Sequence, residues 1–182
     1  RRIHFADGKT MKFNTLILAT GASPRRLNAK GANLKGIHYL RDLGDSARLR
    51  QALSDPGCRD VAIIGAGVIG LEVASAAVNL GRTVTVVEAA ARAMARVASP
   101  ATTNFVTQKL KDAGVQFLFN QKIERFGAAD RRVSSIHLGD GSQIKTDLVL
   151  AGIGATPNIA LAEAAGLECD NGICVDQDMR TS

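Results

Sequence analysis

The chain has 182 residues, 46% hydrophobic and 22% charged, with a formal net charge of +6, which allows one good core or parts of two. No apolar run approaches the ~18 residues needed to span a bilayer, so a membrane protein is not expected, and no signal-peptide pattern follows Arg1. Aromatic residues make up only 4%, there is no Trp, and the arginines are scattered, which favours a solvated basic surface over a nucleic-acid site.

In chain order, residues 3–18 read as a hairpin turning at Asp7-Gly8, followed by a buried strand over Thr15–Ala19. Pro24 and the glycines at 21, 31 and 36 mark an exit loop. A helix is predicted over 44–54, with Asp45 or Ser46 as N-cap, and Asp55-Pro56-Gly57 breaks it. Residues 60–64 suit a central parallel strand. GAGVIG follows, then a helix over Leu71–Leu80 closed by Gly81, and a second strand over 83–88. A helix over about 100–113 has Pro100 in its first turn and Gly114 after its end. Further strands are read at 115–119, 122–126 and 133–138, the last two joined across Gly127 to Arg132. Asp140-Gly141 is a tight turn and Asp147–Ala151 a buried strand. A short helix over 158–165 and a strand over 172–176 end the chain.

Two of these stretches are the same phrase, 133 residues apart. Ile3–Pro24 and Ile136–Pro157 align without a gap and agree at eight of 22 positions. Two copies so distant make no solenoid. They read as two related domains, each closing with a hairpin, a buried strand and a Gly-x-x-Pro turn.

Between the copies, Gly65, Gly67 and Gly70 have G-x-G-x-x-G spacing after a strand and at the start of a helix. That pattern asks for a tight turn, close approach of a pyrophosphate to backbone, and close helix-on-strand packing. Val68 and Ile69 share the helix N-terminus, whose free amides and dipole favour phosphate. Glu88 ends the next strand, 18 residues past Gly70, where a carboxylate accepts hydrogen bonds from an adenine-ribose 2′-OH. Such a carboxylate repels a 2′-phosphate and Ala89, Ala90 and Ala91 provide no basic group to receive one, so NADH is expected over NADPH, although Arg92 is close enough in sequence to relax this preference. Glu72 lies on the first turn of the same helix, as a dipole partner or a residue near the nicotinamide. Cys58, Cys169 and Cys174 form no metal or redox motif and are read as reduced thiols in a cytoplasmic setting. No metal site and no catalytic nucleophile or acid–base residue is expected.

Together, ATGASPR (19–25), GAGVIGLE with Glu88, and GIGATPN (152–158) resemble the flavin-dependent pyridine nucleotide–disulfide oxidoreductases. HYLRDLGDSARLRQAL and ARVASP resemble the branch of NADH-dependent ferredoxin reductases that serve Rieske-type dioxygenase and cytochrome P450 systems. The resemblance implies an α/β chain with a Rossmann-like, three-layer β/β/α dinucleotide domain, its parallel sheet covered by an antiparallel β-meander. It implies an NAD(H) domain over 28–152, inserted in an FAD domain represented by 1–27 and 153–182. Thr20, Gly21 and Arg25 would then lie near flavin, and Gly152, Ile153 and Gly154 near the nicotinamide, as would Glu72. Hydride would pass from NADH to FAD, and electrons singly to a ferredoxin-type iron–sulfur protein. The family's N-terminal FAD fingerprint, its later Gly-Asp flavin motif and its C-terminal domain have no counterpart here. The expectation is therefore a fragment that is inactive alone and does not hold FAD stably.

Two alternatives stay open from the sequence. A disulfide reductase whose redox cysteines lie outside this stretch would share the architecture. A non-catalytic NAD-binding module would share the cleft. A short-chain dehydrogenase is excluded because Tyr39 is not followed by a lysine four residues on.

Overall fold

A computed structural model describes residues 1–182. The elements in chain order are β1 (Arg2–His4), β2 (Thr10–Lys12), β3 (Ala22–Pro24), β4 (Ile37–Tyr39), α1 (Leu43–Ser54), β5 (Asp60–Ile64), α2 (Val68–Asn79) and β6 (Thr83–Val87). They continue with α3 (Pro100–Asp112), β7 (Gln116–Leu118), β8 (Ile123–Ala129), β9 (Arg132–Leu138), β10 (Gln143–Lys145), β11 (Leu148–Ala151), β12 (Ala155–Pro157) and α4 (Ala160–Ala164). The chain divides into two compact units, one of residues 1–23 with 156–182 and one of residues 24–155. No helix is long and apolar enough to cross a membrane.

The larger unit is built on a five-stranded sheet ordered β4-β11-β5-β6-β7, with every neighbouring pair parallel. Parallel strands need both faces covered, so their sequences run apolar rather than alternating. β11 (LVLA) is buried at all four positions, and β5 at four of five. On one face Val61, Ile63, Val84, Val86, Leu148 and Leu150 pack with Leu49 and Leu53 of α1, Leu71, Val73, Ala74 and Ala77 of α2, and Leu110 of α3. On the other, Ala62, Ile64, Val87 and Val149 meet Phe126, Val133, Ile136 and Leu138 of an antiparallel meander ordered β10-β9-β8. Layers of helix, parallel sheet and meander result, the three-layer β/β/α arrangement expected from the sequence.

Several boundaries differ from the sequence reading, each for a local reason. α1 starts at Leu43 because Asp42, not Asp45 or Ser46, is its N-cap: Asp42 accepts from the Asp45 amide at 2.7 Å while the Asp45 carboxylate accepts from the Asp42 amide at 3.3 Å. Such a reciprocal box satisfies two orphan donors at once. α2 begins three residues earlier than read, directly at the fingerprint. The loop expected over Gly127–Arg132 shrinks to Asp130-Arg131, whose φ values of 47° and 61° give the left-handed twist of a two-residue hairpin turn. A register shift between Gly127 and Ala128 absorbs the extra residue.

The base of β11 is clamped to the base of β5 by polar groups. Thr146, 0% exposed, accepts from the Ala62 amide at 3.1 Å and donates to the Leu148 carbonyl at 2.7 Å. Asp147 accepts from the Arg59 and Asp60 amides at 2.9 Å each. Burial opposes ionisation of Asp147, but those two amides, with Lys145 and Arg132 nearby, outweigh it and hold the carboxyl below its ordinary 3.8.

The smaller unit contains the β1–β2 hairpin, with Arg2 opposite Lys12. Its Asn158 is a hub. Its amide nitrogens donate to Gly21 O (2.9 Å, backbone) and Thr20 O (2.9 Å, side chain), Oδ1 accepts from Ser23 at 2.8 Å, and its carbonyl accepts from the Thr20 hydroxyl at 2.6 Å. Two sequence expectations fail in this unit. Thr15–Ala19 is not a strand, and Leu16 and Ile17 are 43% and 84% exposed. Within residues 1–182 no strand pairs with that run on either side. Residues 172–176 likewise form only an isolated bridge, Ile173 to Cys169.

Candidate functional site

At the carboxyl ends of β5, β6 and β11 the larger unit opens into a cleft of about 850 Å³. Open α/β sheets bind ligands at this end of their strands. The floor is the fingerprint turn. Gly65 has φ +99°, and a Cβ there would clash with the Gly152 carbonyl oxygen. At Gly70 a Cβ would clash with the Gly65 carbonyl oxygen, so two glycines let α2, β5 and the end of β11 meet backbone to backbone. Gly67 is different: a Cβ there would meet nothing within 4 Å. It caps α2 with no side-chain hydrogen bond, leaving the first-turn amides of Gly67, Val68 and Ile69 without intrahelical acceptors. Together with the dipole of a 12-residue helix, that makes an anion cradle.

Glu88 stands directly over this turn. One carboxylate oxygen accepts from the Ala66 amide at 2.7 Å, the other from the Ala90 amide at 2.8 Å. Charge-assisted bonds of this length fix the carboxylate, and each oxygen retains capacity for a further donor. The Ala66 carbonyl in turn accepts from Met94 at 2.9 Å, and the Glu88 backbone carbonyl from Gln121 at 3.0 Å. The fingerprint, the end of β6 and the two loops that wall the cleft form one bonded unit. Glu88 follows β6 beside the fingerprint turn, and its tie to Ala66, a contact across 22 residues, could not be foreseen from the sequence.

The cleft is lined by Gly65, Gly67, Val68, Glu88, Arg92, Gly152 and Ile153 among the residues expected at a site. Ile69 and Gly70 continue the first turn of α2 behind that lining, and Glu72, expected on that first turn, lies exposed at the start of the second because α2 begins at Val68. Gly154 accepts from the Arg25 amide at 2.9 Å. Thr20, Gly21 and Arg25 do not line this cleft. Thr20 and Gly21 are instead engaged by Asn158, which the sequence reading did not single out, although it sits at the end of the quoted GIGATPN motif.

Arg92 departs from its expected role. Its guanidinium donates to the carbonyls of Ala95 (2.9 Å) and Ala98 (3.0 Å), with Thr103 Oγ1 at 3.4 Å. It is spent on folding the 92–98 loop onto the first turn of α3. Arg96, also on the cleft wall, is exposed and takes part in none of the ion pairs. No group of three or more His, Cys, Asp or Glu side chains is placed to hold a metal.

Comparison with known proteins gives a consistent picture. The sequence model of the pyridine nucleotide-disulphide oxidoreductases matches residues 1–182. Rubredoxin-NAD(+) reductase of Pseudomonas putida is 48% identical over 176 residues, covering 97% of this chain and 45% of that protein. Rhodocoxin reductase of Rhodococcus erythropolis is 41% identical, covering 100% and 42% respectively. The chain thus spans less than half the length of these curated relatives. Among solved structures, the ferredoxin reductase for the CYP199A2 system of Rhodopseudomonas palustris superposes with a TM-score of 0.95 at 39% identity, over 100% of this chain and 44% of that one. Putidaredoxin reductase, in its covalent complex with putidaredoxin, gives 0.91 at 35% identity, over 99% and 44%.

Proposed function

The chain belongs to the pyridine nucleotide-disulphide oxidoreductase family, and from that premise we propose that it is the NADH-binding part of a flavoprotein reductase delivering electrons to a ferredoxin- or rubredoxin-type iron–sulfur protein. The observation that carries this reading is Glu88, held by two backbone amides over the phosphate cradle of one cleft. The relatives' names supply the acceptor class.

In this reading residues 28–152 are the NAD(H) domain, and 1–27 with 153–182 belong to an FAD domain completed by other sequence. The amides of Gly67, Val68 and Ile69 receive the pyrophosphate, and the Glu88 oxygens accept from the adenine-ribose hydroxyls. Gly65 and Gly70 contribute no side chain because backbone occupies the space. Gly152, Ile153 and Gly154 lead the chain past the fingerprint, with the Gly152 amide bonded to Ile64 at 2.8 Å, and are assigned with Glu72 to the nicotinamide side. Thr20, Gly21 and Arg25 are assigned to the flavin side. Arg92 acts on the cofactor only through the loop it holds. When bound, NADH supplies a hydride and FAD converts it to single electrons; the protein supplies orientation and electrostatics. A cytoplasmic location is part of the proposal and suits three unpaired cysteines.

Titration with NADH, then with FAD and ferricyanide as acceptor, tests the reading. Saturable NADH binding that weakens about tenfold in Glu88→Ala supports it, the loss expected for a charge-assisted hydrogen bond. Binding indifferent to Glu88 removes the ribose role.

A further inference from the structure

The antiparallel meander turns one face to the core, and its strand register shows what the other face carries. Phe126, Ile136 and Ile144 are neighbours across β8, β9 and β10, and all three pack into the core against the parallel sheet. Side chains alternate along a strand, and opposite partners share a face. The adjacent row of Arg125, His137 and Gln143 therefore lies on the outer face. Lys30, bridged to Arg125 from the segment before β4, extends that row. The next outer row is Gly127, Ser135 and Lys145. None of these residues lines the dinucleotide cleft.

Arg125, His137 and Ser135 form a directed chain of donors. The Arg125 guanidinium lies 3.1 Å from His137 Nδ1. A guanidinium can only donate, so Nδ1 accepts and the ring is the neutral tautomer with its proton on Nε2. That proton faces Ser135 Oγ at 3.5 Å, the one hydrogen bond of the Ser135 side chain. The hydroxyl's own hydrogen is left without an acceptor, although Ser135 is only 6% exposed and hydroxyls so buried ordinarily have one. Gly127 makes the room: a Cβ there would clash with the Ser135 hydroxyl and stand 3.4 Å from His137 Nε2. No carboxylate closes the arrangement. Arg125 and Lys30 are exposed and take part in none of the ion pairs, nor does Glu124 beside Arg125 in β8. Lys145 differs, since its ammonium reaches Asp60 at 3.6 Å.

We propose that this outer face is a second anion site, separate from the dinucleotide cleft, that takes a phosphate-type oxyanion, either the free ion or a phosphate monoester. Arg125 supplies charge and the guanidinium N–H groups that His137 does not use, and Ser135 supplies a buried hydroxyl donor. Lys30 adds attraction from the edge of the row. His137 is a positioning residue that orients both the guanidinium and the hydroxyl.

Proton–nitrogen correlation spectra of the histidine rings test the site at constant ionic strength. His137 is one of three histidines, and His4 in β1 and His38 in β4 lie outside the face, so they serve as internal controls. In the free protein His137 shows the Nε2–H tautomer. Inorganic phosphate shifts its signals saturably, with a midpoint of about 1–10 mM, the range for a few charge-assisted bonds on an open face. Chloride at matched ionic strength does not. Methyl phosphate separates the two sources: a matching shift supports a monoester ligand, and a shift with inorganic phosphate alone supports the free ion. Arg125→Gln raises the phosphate midpoint about tenfold and Ser135→Ala about three- to tenfold, each with an unchanged melting temperature. An Nδ1–H tautomer in the free protein would overturn the proposal. So would a shift shared by all three histidines and linear in salt, or a midpoint unmoved by Arg125→Gln.

Discussion

Ile17 and Leu150 hold the same place in the two copies of the repeat, and their surroundings are opposite. Leu150 is 0% exposed, in a strand paired in parallel on both sides with β4 and β5. Ile17 is 84% exposed, in a run that pairs with nothing. The apolar pattern gives both runs the capacity to be a central parallel strand. Neighbours on both edges and cover on both faces decide whether that capacity is used. Just before each run the copies differ as well: Thr146-Asp147 clamps the start of β11 to β5, where the first copy has Phe13-Asn14. Just after it, the second copy delivers the Gly152 carbonyl beside Gly65 and so helps build the cleft floor.

Substitutions at matched positions sharpen this contrast. Leu150→Ala leaves a cavity in a fully enclosed site and should cost about 3–4 kcal/mol, whereas Ile17→Ala should fall within about 0.5 kcal/mol of the parent. Denaturant melts of the two variants measure the difference, and equal costs would break the comparison. Gly65→Ala forces a left-handed alanine against the Gly152 carbonyl. It should cost about 2–3 kcal/mol and abolish measurable NADH binding, so calorimetry and melting together report it. Asp147→Ala orphans two backbone amides and should cost about 2 kcal/mol, against little for the matched Asn14→Ala.

A smaller effect belongs to pH. Burial, with Arg132 and Arg48 nearby, holds His38 in β4 below its ordinary 6.5. The unfolded chain therefore binds a proton that the folded chain refuses, so stability is full above about 6.5 and declines as pH falls below it. Asp147, lowered from 3.8, makes its loss only in a separate, more acidic window. Thermal melts between pH 7.5 and 5 should show the decline, and His38→Asn should flatten it.

The parts of the site legible in the sequence were those set by local chemistry. Gly65 and Gly70 announce close backbone approaches that only glycine permits, Gly67 announces the open N-cap between them, and Glu88 falls at a fixed distance along a βαβ unit. The central strands announced themselves as β-branched and leucine-rich runs. What stayed hidden depends on contacts across the chain: the Glu88–Ala66 bond, the Asn158 hub, and the use of Arg92 as a loop brace. A charged side chain near a fingerprint reads the same whether it faces a ligand or its own carbonyls. The exposed run at Thr15–Ala19 was misread for the same reason, since pairing partners are not written in the strand itself.

The central claim is that one cleft, floored by the fingerprint and governed by Glu88, takes NADH. Calorimetric titration of the unaltered protein with NADH and NADPH under identical conditions tests it most directly. NADH should bind at one site per chain, at least about tenfold more tightly than NADPH, the discrimination expected of one well-placed carboxylate. NADPH binding as tight as NADH, or tighter, would contradict it.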